Sequence, residues 1–214
     1  MAIRAVLFDF GGVILSSPFD AFARYEEAHD LPVGFIRRLN ATNPDTNAWA
    51  RLERGEVGFD EFCSLFEAEA VAGGHPIDAR EVMALLAGEL RPAMVEAIRQ
   101  CRAGGLKVGL LTNNFVGPNG SRDMSEVLAL FDLIVESSKA GVRKPDPRFY
   151  ERACAELQIE PHEAVFLDDL GVNLKPARAM GMTTIKVVDP NEALAQLEAT
   201  VGLSLRLPPR HLPG

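Results

Sequence analysis

The hydrophobic residues of this chain follow two patterns: short unbroken apolar runs, and longer segments in which apolar residues recur every three or four positions. The first run, at residues 4–13, reaches Asp9 and then breaks into Gly11 and Gly12. An apolar run of this length between turn-forming residues is typical of a strand buried on both faces. We therefore predict a central β-strand with Asp9 at its carboxyl end, the edge of an open α/β sheet at which ligands bind.

Helical spacing of apolar residues dominates from about residue 18 to residue 90, and no strand pattern competes there. Turn-forming residues divide this segment into pieces, and core packing is the predicted role of most of its aromatic side chains. We predict a helical insert over residues 17–90, attached after the first strand. Within it, a solvated helix face and turn are predicted for Arg51, Glu53, Arg54 and Glu56.

Strands and helices alternate through the remainder of the chain. The predicted strands lie at residues 106–112, 132–136, 164–167 and 183–188, and the predicted helices at 92–103, 125–131, 147–157, 176–180 and 191–201. Such alternation is typical of a mostly parallel sheet with right-handed crossovers and helices on both faces. The predicted fold is α/β: a three-layer, Rossmann-like core from residues 1–16 and 91–214, with a tail at 207–214 that we expect to be mobile.

Composition narrows the possible partners. Apolar residues make up 47% of the chain and charged residues 24%, and the formal net charge is −8. An acidic chain is not attracted to nucleic acid or to an anionic membrane, so we expect neither as a partner. The first apolar run is too short for a signal peptide, and no segment is long enough for a membrane span, so we expect a cytoplasmic protein of undetermined oligomeric state. Buried free thiols are predicted for the three cysteines: Cys63, Cys101 and Cys154.

Polar residues follow three of the predicted strands. Asp9 ends the first, Thr112 and Asn113 end the second, and the pair Asp168 and Asp169 ends the fourth. Because the carboxyl ends of parallel strands lie on one edge of a sheet, we expect these groups to meet in space. Just before a predicted helix N-terminus stands Lys144, a position from which a cation reaches an anion at that edge.

In their order along the chain, these residues resemble the motifs of the haloacid dehalogenase superfamily. Its pattern is a nucleophilic Asp after a strand, a Ser or Thr after another, a Lys and an acidic pair, which correspond here to Asp9, Thr112, Lys144 and Asp168-Asp169. Residues 144–147 and 165–177 are especially similar to the N-terminal phosphatase domain of soluble epoxide hydrolases, and they also resemble domains fused to some long acyl-CoA dehydrogenases. The helical insert at 17–90 matches the superfamily's small cap.

The resemblance implies a Mg²⁺-dependent phosphatase that acts on a small-molecule phosphate ester through an aspartyl-phosphate intermediate. It implies that Asp9 is the nucleophile and that Thr112 and Lys144 are the other catalytic residues. The implied metal ligands are Asp9, the Gly11 carbonyl and Asp169; the implied phosphate-binding groups are Thr112, Asn113 and Lys144; and Asp168 and Asn173 are implied to orient water beside the metal.

One position departs from the pattern. Phosphatases of this superfamily usually carry a second Asp two residues after the nucleophile as general acid and base, and here that residue is Gly11. General acid–base catalysis contributes about 10² to 10⁴ in rate, so its loss is expected to matter most for poor leaving groups. Two alternatives stay open: a metal-independent 2-haloacid dehalogenase, whose halide leaves without a proton, and a catalytically weak module that binds a phosphorylated ligand or a partner. The pair Asp168-Asp169 argues against the dehalogenase, because dehalogenases of the superfamily usually lack it.

Overall fold

The computed structural model describes residues 2–117 and 124–205. Its centre is a parallel five-stranded sheet with the strand order β3-β2-β1-β4-β5. The first strand therefore lies in the middle, as predicted. The strands are β1 (Ala5–Phe8), β2 (Lys107–Thr112), β3 (Leu133–Glu136), β4 (Ala164–Asp168) and β5 (Thr183–Lys186).

Five α-helices lie between residues 17 and 90, after β1: α1 (Phe19–Ala28), α2 (Phe35–Ala41), α3 (Ala48–Glu53), α4 (Phe59–Ala72) and α5 (Ala79–Ala84). They pack around a hydrophobic cluster of their own, in which the Phe62 and Phe66 rings are fully buried and stack with centroids 5.3 Å apart. All five lie within the predicted cap, and we keep that name for residues 17–90. The division into two domains at these boundaries stays a prediction.

The core helices are α6 (Pro92–Ala103), α7 (Ser125–Leu128), α8 (Ser137–Ala140), α9 (Pro147–Leu157), α10 (Gly171–Ala179) and α11 (Pro190–Val201). They cover both faces of the sheet, because alternate residues of β1 enter two different hydrophobic clusters. Val6 and Phe8 pack in the cluster that α6 and α11 contribute to. Ala5 and Leu7 pack in the cluster formed with α9 and α10. This arrangement confirms the three-layer α/β fold.

Some predicted boundaries differ from the structure. The helix predicted at 176–180 begins at Gly171. The prediction placed Pro176 in the first turn, where proline is most common, but Pro176 lies inside the helix. As a result, Asn173 stands in the first turn of α10. The helix predicted at 125–131 ends at Leu128, and the last strand ends at Lys186. The tail at 207–214 lies outside the described residues.

Two further expectations concern the cysteines and membranes. Cys63, Cys101 and Cys154 are free and buried, as predicted. None of the helices in residues 2–117 and 124–205 combines the length and hydrophobicity that a membrane span requires.

Candidate active site

Asp9 stands at the carboxyl end of β1, at the centre of the sheet edge. Its backbone N–H donates to the carbonyl of Leu167 at 2.9 Å, which continues the pairing of β1 with β4 by one residue. Its carboxylate Oδ1 accepts a hydrogen bond from the backbone N–H of Phe10 at 2.7 Å. Only 8% of Asp9 is exposed. Burial and the hydrogen bond from Phe10 together hold its carboxylate in one orientation.

The two glycines that follow Asp9, at positions 11 and 12, have different surroundings. Gly12 has a φ of +76°, and a Cβ there would lie 2.2 Å from Oδ2 of Asp169, so this close approach requires glycine. Gly11 has a φ of −70° and a ψ of 134°, which any residue adopts, and a Cβ there would meet nothing within 4 Å. The guanidinium of Arg91 fixes the turn by donating to the Gly12 carbonyl at 2.5 Å.

Lys144 connects two of the strand-end carboxylates. Its ammonium nitrogen lies 2.7 Å from Oδ1 of Asp9 and 2.8 Å from Oδ2 of Asp168, and the side chain is 1% exposed. Burial opposes the charge on Lys144, but Asp168 and Asp9 together raise its pKa above the ordinary value. The lysine is therefore a fixed positive charge at the edge where the sequence places it.

Asn113 holds Lys144 through its side chain, a role that the sequence did not reveal. Its Oδ1 accepts the backbone N–H of Lys144 at 2.9 Å, and its Nδ2 donates to the Lys144 carbonyl at 3.0 Å. The backbone N–H of Asn113 is the group predicted to bind phosphate. Thr112 is the last residue of β2 and is half-buried beside it.

Asp168 is fully buried and oriented by its neighbours. Its Oδ1 accepts the backbone N–H of Leu170 at 2.8 Å, and the side-chain amide of Asn173 lies 3.1 Å from both of its carboxylate oxygens. The backbone carbonyl of Asn173 accepts a hydrogen bond from the hydroxyl of Tyr150 at 2.7 Å. These contacts point Asp168 toward Lys144 and leave Asp169 as the more exposed acid of the pair.

Asp9, Asp168 and Asp169 form an acidic cluster whose carboxylate oxygens lie within 4.8 Å of one another. Burial raises the pKa of Asp9 to about 8, and the Asp168 and Asp169 charges add to this effect against the opposing Lys144 ammonium. Burial, then the charge of Asp168, raises the pKa of Asp169 to about 6. The single ammonium of Lys144 does not balance the charge of three ionised carboxylates. Carboxylate oxygens at this spacing suit a hard divalent cation such as Mg²⁺, so the donor set fits the predicted metal.

The structure also brings to this region one residue whose location the sequence did not predict. Glu53, predicted to lie on a solvated helix face, is only 9% exposed, and its Oε2 lies 3.0 Å from Nε of Arg143. The position of Glu53 at the end of α3, where that helix faces the core, buries it. Trp49, four residues earlier on the same helix face, donates from Nε1 to Glu53 Oε1 at 2.9 Å, and this spacing was the available signal.

Comparison with known proteins places these residues in a family context. A family model described as haloacid dehalogenase-like hydrolase matches residues 3–181. The chain is 37% identical over 211 residues to acyl-CoA dehydrogenase family member 10 of Mus musculus, a match that covers 95% of this chain and 20% of that protein. It is 33% identical over 221 residues to bifunctional epoxide hydrolase 2 of Sus scrofa, with 96% and 40% covered. The chain thus spans less than half the length of these two relatives. The predicted resemblance to both groups is confirmed.

Other similar proteins match this chain over most of their own length. Phosphatase MT3486 of Mycobacterium tuberculosis is 33% identical over 198 residues, covering 85% of this chain and 86% of the phosphatase. Among solved structures, an HAD family enzyme from Bacteroides thetaiotaomicron, crystallised with magnesium and inorganic phosphate, superposes with a TM-score of 0.58. That match covers 86% of this chain and 94% of the other at 17% identity, and supports the fold alone.

Proposed function

The chain belongs to the haloacid dehalogenase-like hydrolases, and within that family we propose that it is a Mg²⁺-dependent phosphatase that cleaves a small phosphate monoester through an aspartyl-phosphate. The observation that carries the proposal is the acidic cluster of Asp9, Asp168 and Asp169 around the buried ammonium of Lys144. A relative of similar length that is named a phosphatase supports it.

The metal ligands in this proposal are the carboxylates of Asp9 and Asp169 and the carbonyl of Gly11. Mg²⁺ bound there supplies the positive charge that the cluster lacks and that an incoming phosphate dianion needs.

The residues of the chain then carry the covalent chemistry. One carboxylate oxygen of Asp9 attacks phosphorus in line; an O–P bond forms to the aspartate as the ester O–P bond breaks, and the leaving oxygen keeps the bonding electrons. The Thr112 hydroxyl and the Asn113 backbone N–H hold phosphoryl oxygens, and Lys144 stabilises their charge. Water next attacks phosphorus: its oxygen forms a new O–P bond as the bond between phosphorus and the Asp9 carboxylate breaks, the carboxylate keeps the bonding electrons, and the water proton passes to solvent.

Asp168 and Asn173 act indirectly in this proposal. Asn173 holds both oxygens of Asp168, and Asp168 holds the ammonium of Lys144 opposite Asp9. Supporting hydrogen bonds of this kind fix the orientation of the groups that touch the substrate.

The substrate class follows from Gly11. Without a carboxylic acid at this position, the leaving oxygen departs without a proton from that side chain. Acyl, aryl and anomeric sugar phosphates have weakly basic leaving groups and tolerate this loss better than alkyl phosphates do. We therefore propose that the natural substrate is a phosphate ester with a good leaving group.

Phosphate release from p-nitrophenyl phosphate and from a panel of phosphate esters tests the proposal. We expect turnover with Mg²⁺, none in EDTA, and none from the Asp9→Asn variant. Halide release from 2-haloacids in EDTA would instead identify the dehalogenase. Binding of Mg²⁺ and inorganic phosphate in calorimetry without any turnover would identify the ligand-binding module.

A further inference from the structure

The cap and the core meet beside the active site at the end of α3. After that helix, Gly55 runs so close to the core that a Cβ there would lie 2.8 Å from the carbonyl oxygen of Ser138, in α8. From the core side, Arg143 donates from Nη1 to the carbonyl of Pro44 at 3.3 Å. Two separate segments of the cap therefore touch the stretch of core that leads into Lys144.

Glu53 is the buried charge at this junction. Its side chain is 11% exposed, and its Oε1 accepts the indole N–H of Trp49 at 2.9 Å. Its Oε2 lies 3.0 Å from Nε of Arg143 but has no aligned hydrogen bond within the described part of the chain. Burial raises the pKa of Glu53, and the Arg143 guanidinium and the hydrogen bond from Trp49 oppose that rise.

The guanidinium that faces Glu53 also contacts the backbone of Lys144. Arg143 precedes Lys144, and its Nε lies 3.3 Å from the Lys144 carbonyl oxygen as well as 3.0 Å from Oε2 of Glu53. Asn113 binds the same carbonyl and the Lys144 N–H. Glu53 is therefore linked through Arg143 to the backbone that positions this lysine.

Stability alone is a weak reason to bury such a pair. Removing two charges from water costs more than their attraction often returns, and well-packed apolar residues frequently replace a buried ion pair without loss of stability. Separating the two groups, however, leaves an uncompensated buried charge, so the pair favours the arrangement in which the end of α3 meets Arg143. Glu53 and Arg143 thus fit a positioning role better than a purely stabilising one.

Building on the proposed phosphatase activity, we infer that Glu53 is a positioning residue of the active site. When the cap is seated on the core, the Glu53 carboxylate holds Arg143, and Arg143 and Asn113 hold the backbone of Lys144, whose ammonium lies between Asp9 and Asp168. The cap would then contribute to catalysis without touching the phosphoryl group.

Steady-state kinetics of Glu53→Gln with Mg²⁺ and p-nitrophenyl phosphate tests this inference. The substitution keeps the size of the side chain and an acceptor for Trp49 but removes the charge facing Arg143. We expect kcat to fall about 10- to 100-fold with KM changed less than about threefold, since a small misplacement of a catalytic group from a distance has effects of this size. Glu61→Gln is the matched control, because Glu61 is an exposed cap carboxylate that pairs with Arg51.

Arg143→Gln tests the same ion pair with Glu53 from the core side. It should lower kcat to a similar extent, and the double variant should be no worse than the poorer single one, because both changes break one interaction. A kcat within threefold of the active wild type in either variant, or fully multiplicative losses in the double variant, would overturn the inference. A rise in KM with kcat unchanged would also overturn it, since Glu53 would then be a substrate contact.

Hydrogen–deuterium exchange separates this inference from the proposed activity. Residues 142–146 should exchange faster in Glu53→Gln than in the wild type or in Glu61→Gln, whether or not any substrate turns over. A wild type without phosphatase activity would refute the proposed function, while unchanged exchange at 142–146 would refute the role of Glu53.

Discussion

Asn113 binds the backbone of Lys144 on both sides: its Oδ1 accepts the lysine N–H at 2.9 Å, and its Nδ2 donates to the lysine carbonyl at 3.0 Å. A single amide therefore attaches the end of β2 to the segment that leads into α9. The proposed phosphate-binding groups and the proposed charge-stabilising lysine are joined by it into one unit. Their relative position then depends in part on this side chain.

The first prediction concerns this amide. Asn113→Ala removes both hydrogen bonds and leaves the buried backbone groups of Lys144 less satisfied. We expect the free energy of unfolding to fall by about 1 to 3 kcal/mol, the cost of unmet buried polar groups, and turnover to fall with it. Urea unfolding and phosphate release measure the two effects. A variant as stable as the wild type would show that water or other groups replace the amide.

The second prediction concerns the ammonium of Lys144. Lys144→Met leaves the carboxylates of Asp9 and Asp168 facing each other without a cation, and breaking a buried pair in this way costs about 3 to 5 kcal/mol of stability. Adding Asp168→Asn should recover part of the loss. Urea unfolding in EDTA near pH 8 measures both. Lys139→Met, at a 76% exposed lysine side chain, is the control and should change stability by less than about 0.5 kcal/mol.

The convergence of the acidic residues could be predicted from the sequence because it depends only on strand direction. Asp9 and Asp168 end apolar runs, and parallel strands bring such ends to one edge. The parallel direction of the strands follows from the same alternation of strands and helices. Nothing in that reasoning needs the orientation of a side chain.

Side-chain contacts between distant segments could not be predicted in this way. Glu53 lies in a stretch of alternating charges that is typical of a solvated surface, and only the packing of α3 against the core buries it. Asn113 was expected to act through its backbone N–H, and its side-chain contacts depend on the path of the chain at Lys144. Pro176 misled the prediction of α10, because proline also occurs inside helices.

The third prediction concerns pH in the metal-free protein. Burial raises the pKa of Asp9 to about 8 and that of Asp169 to about 6, above the ordinary value of 3.8. Between about pH 4 and each raised pKa, the folded protein holds a proton that the unfolded chain has released, so the stability from these groups is greatest below about pH 4. The Asp169 contribution is lost by about pH 6 and the Asp9 contribution by about pH 8. In EDTA, the unfolding midpoint of the wild type should therefore fall relative to Asp169→Asn between about pH 4 and pH 6.

Mg²⁺ should reverse this loss. Metal ligands must be deprotonated, so added Mg²⁺ is expected to raise the unfolding temperature more near pH 8 than near pH 5, and less in Asp169→Asn. Thermal unfolding with and without EDTA measures this. A Mg²⁺ effect equal at both pH values would contradict the assignment of the acidic cluster as the metal site.

The fourth prediction concerns Gly12. Gly12→Ala places a Cβ 2.2 Å from Oδ2 of Asp169 and strains a backbone with a φ of +76°. The strain costs about 1 to 2 kcal/mol, and the displaced carboxylate should weaken Mg²⁺ binding as well. Gly141→Ala is a matched control, because Gly141 has a φ of +68° and a Cβ introduced there would meet nothing within 4 Å. Both variants should lose stability, but calorimetry should detect weaker Mg²⁺ binding only in Gly12→Ala.

The last prediction concerns Gly11, where the family pattern has an acid. Its φ of −70° and the empty space at the point where a Cβ would lie admit a side chain without strain, so Gly11→Asp should fold normally. A carboxylic acid at this position can protonate the leaving oxygen, and general acid catalysis contributes about 10² to 10⁴ in rate when the donor is well placed. We expect a gain of at least about tenfold in kcat/KM for alkyl phosphates and a smaller gain for p-nitrophenyl phosphate, whose leaving group needs no proton. Gly11→Asn has nearly the same size and cannot act as an acid, so it should show no gain. Equal gains on both substrates, or a gain in Gly11→Asn, would mean that the empty space rather than the missing proton limits the reaction.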